Sequence, residues 1–108
     1  MELGLRVIRM IGMMPETRFS MILGKQVLRS ATSVGANYRA ACRAKSRKDF
    51  INNLKIVEEE ADETLFWLEM IEETGIFSHG KLESLKTETN EVISMIVTSL
   101  KTLRSNQS

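Results

Sequence analysis

The chain is poor in several residue types, and each scarcity excludes a class of protein. Of its 108 residues only one is Cys and one is His, so no internal disulfide can form and no Cys/His set has zinc-ligand spacing. One Pro, six Gly and one Tyr leave little material for a sandwich or barrel of many short strands. The composition therefore predicts an all-helical protein. We expect the lone Cys42 to be a small buried apolar residue.

Long apolar runs are also missing. The N-terminal stretch carries Glu2, Arg6 and Arg9 within its only apolar segment, and no small-residue cleavage site follows, which argues against a signal peptide. No window reaches the roughly 18 consecutive apolar residues of a membrane span. With 43% apolar and 27% charged residues, the chain has an ordinary globular composition. We therefore expect one soluble domain over residues 1–108, in the cytoplasm and with no membrane partner.

Three breaks in the sequence predict four helices, at about 3–14, 16–44, 47–74 and 81–104. Pro15 is expected to end the first helix and to lie in the first turn of the second. Ser46 has the spacing of an N-cap that accepts from the backbone amide of Asp49. Gly75 can take the left-handed conformation after a helix end, with Ile76 touching Ile71 as in a Schellman motif.

Apolar residues recur with helical spacing in the second, third and fourth helices. The third helix has a heptad stripe, which predicts nearly antiparallel packing: Phe50, Leu54, Val57, Ala61, Thr64, Leu68 and Ile71. We expect it to pack against Val92, Ile96, Leu100 and Leu103 of the fourth helix. The inward stripe of the second helix is predicted to be Phe19, Leu23, Val27, Ala31, Val34, Tyr38 and Ala41. Short connections between long helices then predict an antiparallel up-down-up-down four-helix bundle.

The middle of the second helix, residues 30–37, is rich in Ser, Thr and Gly. These are mediocre to poor helix formers, so something outside the helix should compensate. Either small side chains let another backbone approach closely while the hydroxyls and Asn37 bond across an interface, or the helix is merely kinked here.

The net charge of +1 conceals a strong division. Residues 1–48 sum to +8, residues 49–73 to −8 and residues 74–108 to +1. The acids of the third helix repel one another unless countercharges lie close, which predicts pairing with cations of another helix or another subunit.

Five cations crowd the predicted turn between the second and third helices: Arg39, Arg43, Lys45, Arg47 and Lys48. Arg39 and Arg43 are four residues apart and share a helix face, a spacing that can follow a phosphate backbone. Cations also suit the C-terminus of a helix, but Arg47 and Lys48 stand in a first turn, where the dipole disfavours them. We interpret the cluster as a candidate nucleic-acid contact without base-stacking aromatics.

Catalytic and metal-binding patterns are not found. A di-iron bundle site requires Glu-x-x-His pairs, and the only histidine, His79, is expected in a solvated loop. There is also no Gly-rich phosphate loop or serine elbow. The sequence therefore predicts a non-enzyme with no cofactor and no metal.

Four segments carry a family resemblance. Residues 26–41 read QVLRSATSVGANYRAA, residues 46–50 SRKDF, residues 59–63 EEADE and residues 67–69 WLE. Together they resemble the proteins encoded in intervening sequences of bacterial large-subunit ribosomal RNA genes, the 23S rRNA-intervening sequence protein family. The specific core is Arg-x-x-x-Ser-Val-x-x-Asn from Arg29 to Asn37, with a later Glu63. Many members have Ala-Glu-Gly where this chain has Arg39-Ala40-Ala41, and the first helix is shorter than is usual in the family.

The resemblance implies an antiparallel four-helix bundle that assembles as a ring of five. Relatives act as accessory proteins of diversity-generating retroelements, in which a basic pentamer contacts a reverse transcriptase and nucleic acid. Fold transfers between relatives better than function does, so two hypotheses stay open. The chain is either an oligomer that binds RNA or DNA through the cluster at 39–48, or a structural assembly whose basic and acidic surfaces meet between subunits.

Overall fold

The computed structural model describes residues 2–105, which fold into four helices and no strand. The helices are α1 (Leu3–Gly12), α2 (Arg18–Cys42), α3 (Arg47–Glu73) and α4 (Glu83–Ser105). The all-α prediction is confirmed, and each predicted boundary lies within two residues of the observed one. Within the described chain, no helix is long and apolar enough to cross a membrane.

Side-chain caps set the starts of α2 and α3. The Ser46 hydroxyl accepts from the backbone amide of Asp49 at 3.1 Å, as predicted. At α2, Thr17 is the N-cap, and its hydroxyl accepts from the amide of Ser20 at 3.1 Å. Pro15 therefore lies in the connection before α2, because the Thr17 cap makes Arg18 the first residue of that helix. The expectation that Pro15 belongs to the first turn of α2 was wrong.

Gly75 follows the end of α3 in the left-handed conformation, with φ of 73°. Its amide donates to the Glu72 carbonyl oxygen at 3.1 Å, which is the shorter hydrogen bond of a Schellman motif. The Ile76 amide donates to Thr74 Oγ1 at 3.3 Å, so a side chain replaces the longer bond of that motif. Ile76 packs against the core from this turn.

The helices pack in chain order, α1 on α2, α2 on α3 and α3 on α4, and α1 also touches α4. Thr64 of α3 donates to Ser30 Oγ of α2 at 2.9 Å. Lys86 of α4 lies 2.8 Å from a Glu72 carboxylate oxygen of α3. Arg6 of α1 lies 2.6 Å from Glu88 of α4. These contacts set neighbouring helices antiparallel and are consistent with the up-down order.

The core follows the predicted stripes of α3 and α4. Its buried members include Leu54, Val57, Ala61, Leu68, Ile71, Val92, Ile96 and Leu100, while Phe50 and Leu103 are half-buried at its edge. Two predictions on α2 were wrong. Phe19 is 74% exposed, because Ser20 and Gly24 take the inward positions. Cys42 is exposed, because Ala41 takes the inward position in that turn.

The polar middle of α2 is satisfied within the chain. Ser30 is fully buried and its hydroxyl donates to the Val27 carbonyl oxygen at 3.2 Å, in addition to accepting from Thr64. Asn37 Nδ2 donates to the Ser33 carbonyl oxygen at 2.9 Å. The compensation that the sequence demanded therefore comes from α3 and from α2 itself.

The short first helix divides the bundle into two halves. α1 has 10 residues and α2 has 25, which correspond to about 15 and 37 Å of helix. α1 lies beside the N-terminal part of α2, because Ile11 approaches Gly24 and Gly4 approaches Thr32. The half that contains the α2–α3 turn is consequently built from three helices.

Candidate nucleic-acid interface at the basic end of the bundle

The α2–α3 turn and the end of α4 form one end of the molecule, which we call the basic end. α4 ends there because it runs antiparallel to α3, and the Arg47 guanidinium donates to the carbonyl oxygen of Leu103. The cations of this end are all exposed: Arg39, Arg43, Lys45, Arg47, Lys48, Lys55, Lys101 and Arg104. Eight positive side chains from three helices and the α2–α3 turn thus share this end.

Two open depressions separate these side chains. One, of about 460 Å³, is lined by Lys45 and Arg47 together with Cys42 and the half-buried Phe50. The other, of about 500 Å³, is lined by cations from both α3 and α4 around Ile51 and Asn52: Arg47, Lys48, Lys55 and Arg104. Arg47 borders both depressions, so the two form a continuous surface.

The structure brings together only part of the predicted cluster. Lys45, Arg47 and Lys48 line the depressions, whereas Arg39 and Arg43 line neither. These two arginines are exposed, one turn apart near the end of α2. They form a separate strip of positive charge on that helix.

Sequence reasoning missed two residues of this surface, Lys55 and Arg104. A signal for each was present. Lys55 follows Lys48 by seven residues, two helical turns along the same side of α3. Arg104 is in the last turn of α4, and in an up-down bundle that turn meets the start of α3.

The positive charge of the basic end is not neutralised by nearby acids. Its segments, residues 39–55 and 101–105, contain only one carboxylate, Asp49. The ion pairs found within residues 2–105 all lie elsewhere, on Arg6, Arg29 and Lys86. Such a concentration of one sign raises the local potential and attracts polyanions.

Lys86 shows what a compensated cation looks like in this protein. Its ammonium group is within 3.0 Å of carboxylate oxygens of both Glu72 and Glu83. Hydrogen bonds to Glu72 first and to Glu83 second raise the pKa of Lys86 above its ordinary value of 10.5. No cation of the basic end has a comparable carboxylate partner in the described part of the chain.

The chemistry of the basic end suits phosphate more than a metal or a base. Over residues 2–105 no group of three or more His, Cys, Asp or Glu side chains is arranged to hold a metal ion. The nearby aromatic rings, Tyr38 and Phe50, are half-buried against the core. Flexible exposed cations without stacking rings contact backbones and do not read bases.

The polar motif of α2 has a structural role. Arg29 pairs with Glu63 and, at 3.5 Å, with Glu60, and it also donates to Gln26 Oε1 at 3.4 Å. These contacts join α2 to α3 beside the buried Ser30–Thr64 hydrogen bond. The motif that carries the family resemblance therefore fastens two helices together.

Comparison with known proteins agrees with this fold. The family model described as 23S rRNA-intervening sequence protein matches residues 1–98. This chain belongs to that family. The match includes every cation of the basic end except Lys101 and Arg104, and it confirms the resemblance seen in the sequence.

A similar protein with a solved crystal structure has the same architecture. It is a protein of unknown function from the S23 ribosomal protein family of Bacteroides thetaiotaomicron, 35% identical to this chain. The alignment covers 93% of each chain with a TM-score of 0.86. No curated protein matches the chain.

Proposed function

We propose that this 23S rRNA-intervening sequence protein is a non-catalytic oligomer that binds the phosphate backbone of RNA or DNA through its basic end. The observation that carries the proposal is the set of exposed, uncompensated cations that three helices bring around two open depressions. The oligomer, a ring of five in the family resemblance, would present several copies of this end. A cytoplasmic location and a protein partner such as a reverse transcriptase are proposals that follow from the resemblance alone.

The helix dipole supports a role outside the fold for part of the cluster. Arg47 and Lys48 occupy the first turn of α3, where the partial positive charge of the helix opposes cations by about 0.3 to 1 kcal/mol each. Neither forms an ion pair with a carboxylate of residues 2–105. Arg47 gains the hydrogen bond to Leu103 at the end of α4, but Lys48 has no comparable contact in that range. A cation that slightly destabilises its own helix is better explained by an anionic partner than by stability.

The expected binding is non-specific and sensitive to salt. Neutralising phosphates releases counterions, so affinity falls as salt concentration rises. One basic end touches few phosphates and is therefore weak, but several ends on one particle raise the effective concentration of each. Assembly and binding thus reinforce each other in this proposal.

The experiment is a fluorescence-anisotropy titration of a labelled single-stranded RNA and a labelled duplex DNA with the full chain and with Arg43→Glu/Arg47→Glu. We expect the double variant to bind both the RNA and the DNA with an affinity lower by at least about tenfold, since it reverses two charges of the surface. The Glu introduced at position 47 suits the first turn of α3, so the fold should persist.

Arg18→Glu/Lys25→Glu is the matched control, because it makes the same charge change on exposed positions of α2 outside the basic end. It should bind nearly as the parent does. If Arg43→Glu/Arg47→Glu stays assembled and binds as the parent does, the proposal is wrong. If instead the variant falls apart into monomers, these arginines belong to a subunit contact and the second candidate function, a structural assembly, replaces the first.

A further inference from the structure

The end of the bundle opposite the basic end carries a cleft between α1 and the start of α4. Its floor is formed by the buried side chains of Met10, Leu82 and Leu85. Met13, 57% exposed, stands at its edge. Cations complete the lining: Arg6, Arg9 and Lys81. The cleft therefore combines an apolar floor with a positive rim.

Two of the three cations have no carboxylate partner. Arg6 is held by Glu88 and donates to Ser84 Oγ at 3.0 Å. Arg9 and Lys81 make no ion pair with any residue in the 2–105 range. The volume, about 280 Å³, is slightly below the usual range for pockets that enclose small molecules. An open cleft of this volume can accept side chains that protrude from the surface of another protein.

The C-terminal part of α3 carries an exposed surface that combines apolar side chains with negative charge. Phe66 and Met70 are 50% and 41% exposed, and the exposed Glu69 and Glu73 stand beside them at the i+3 and i+7 positions. This spacing puts all four on one side of the helix, the pattern by which amphipathic helices insert into grooves. Neither Glu69 nor Glu73 has a cation partner among the residues that the structure describes.

We propose that the α1–α4 cleft of one copy receives the Phe66/Met70 side of α3 from a second copy. Phe66 and Met70 cover the apolar floor and Met13, while Glu69 and Glu73 meet Arg9 and Lys81. The proposal rests on the assembly named in the proposed function and supplies its contact surface.

Charge complementarity selects the second copy as the occupant. The cleft offers two free cations over apolar side chains, and α3 of the same sequence offers two free carboxylates beside exposed apolar ones. Because the two surfaces are different parts of the molecule, the contact is head-to-tail, which closes into a ring or continues as a filament. Each copy also keeps its basic end outside this contact.

Light scattering coupled to size-exclusion chromatography tests the contact with two charge-reversed chains. Arg9→Glu/Lys81→Glu reverses the cleft, and Glu69→Lys/Glu73→Lys reverses the helix. We expect the parent to form a multi-subunit particle and each variant alone to elute as a 12.3 kDa monomer, because every contact then joins like charges. An equimolar mixture should restore the mass of the parent particle, since each reversed surface then finds its complement.

Glu59→Lys/Asp62→Lys is the control for charge on α3, because both residues are exposed on the same helix but precede Phe66. It should keep the parent's mass. Phe66→Ala/Met70→Ala tests the apolar part without a charge change and should raise the dissociation constant of the assembly by at least about tenfold.

A monomeric parent, charge-reversed variants that keep the parent's mass, or a mixture that stays monomeric would each overturn the proposal. Anisotropy with the labelled RNA separates this result from the proposed function. The monomeric variants retain the basic end and should bind RNA with the weaker affinity of one site. If the parent assembles through this contact but binds no RNA, only the nucleic-acid proposal fails.

Discussion

The two ends of α3 carry opposite charge. Its first turns present Arg47, Lys48 and Lys55 at the basic end, whereas its last two turns present acids and exposed apolar side chains. Both arrangements oppose the dipole of α3, which favours acids at its start and cations at its end. The comparison teaches that these charges are not placed to suit the dipole of α3. We interpret them as surfaces for partners, a polyanion at one end and a second copy at the other.

The largest expected difference between the two halves concerns core packing. Leu68 lies in the half that α1 covers, and Leu54 lies in the half built from three helices; both are buried. Replacing a buried Leu by Ala costs about 2 to 5 kcal/mol, and less where the surroundings can collapse. We expect Leu68→Ala to fall in the upper part of that range and Leu54→Ala in the lower part.

Urea denaturation of the two variants at equal protein concentration provides the measurement. Equal losses of unfolding free energy would show that the core of the three-helix half is packed as firmly as the core of the half that α1 covers. An exposed Leu54, for which the substitution would cost almost nothing, would contradict the helix register itself.

A smaller effect should separate stability from binding at the basic end. Lys48→Glu puts an acid into the first turn of α3 and should raise the free energy of unfolding by about 0.3 to 1 kcal/mol. The same change should weaken RNA binding, because it removes a cation of the larger depression. Denaturation and anisotropy on one preparation check both parts, and a variant that is less stable or binds more tightly would refute this reading of α3.

The smallest predicted effect is the pH dependence contributed by Lys86. Because Glu72 and Glu83 raise its pKa in the folded state, folding favours the protonated form. This contribution is fully present below 10.5 and is lost as pH rises through the higher folded value. Lys86→Met should therefore show a shallower loss of stability than the parent above that pH in urea titrations, and identical slopes would contradict the assignment.

Local signals made most of the fold predictable. Ser46 and Gly75 cap and end α3 as their chemistry indicated, and the heptad stripe of α3 is buried as predicted apart from the half-buried Phe50. Phe19 was wrongly predicted to face inward, because the inward stripe of α2 was assigned from apolar character alone. The inward positions there belong to Ser20 and Gly24, and Gly24 lets Ile11 of α1 approach closely. The periodicity of apolar residues cannot signal a core position that is occupied by Ser or Gly.

The candidate site was predictable only in part. Five cations lie close together at residues 39–48, so the sequence alone reveals them as a cluster. The surface also includes Arg104, which is 56 residues from Lys48 along the chain. Only the antiparallel return of α4 brings these two together. Conversely, the acids of α3 predicted cationic partners. The structure pairs Glu60 and Glu63 with Arg29 and Glu72 with Lys86, and it leaves Glu69 and Glu73 without an ion pair among residues 2–105.

The most direct test of the central claim is the salt dependence of duplex DNA binding by the parent and by Lys55→Ala/Arg104→Ala. Only the structure shows that these two cations belong to the surface. If both contact phosphates, the slope of the logarithm of the binding constant against the logarithm of salt concentration should become shallower by about two, since each contact contributes about 0.9. An unchanged slope and affinity in the double variant would contradict the account.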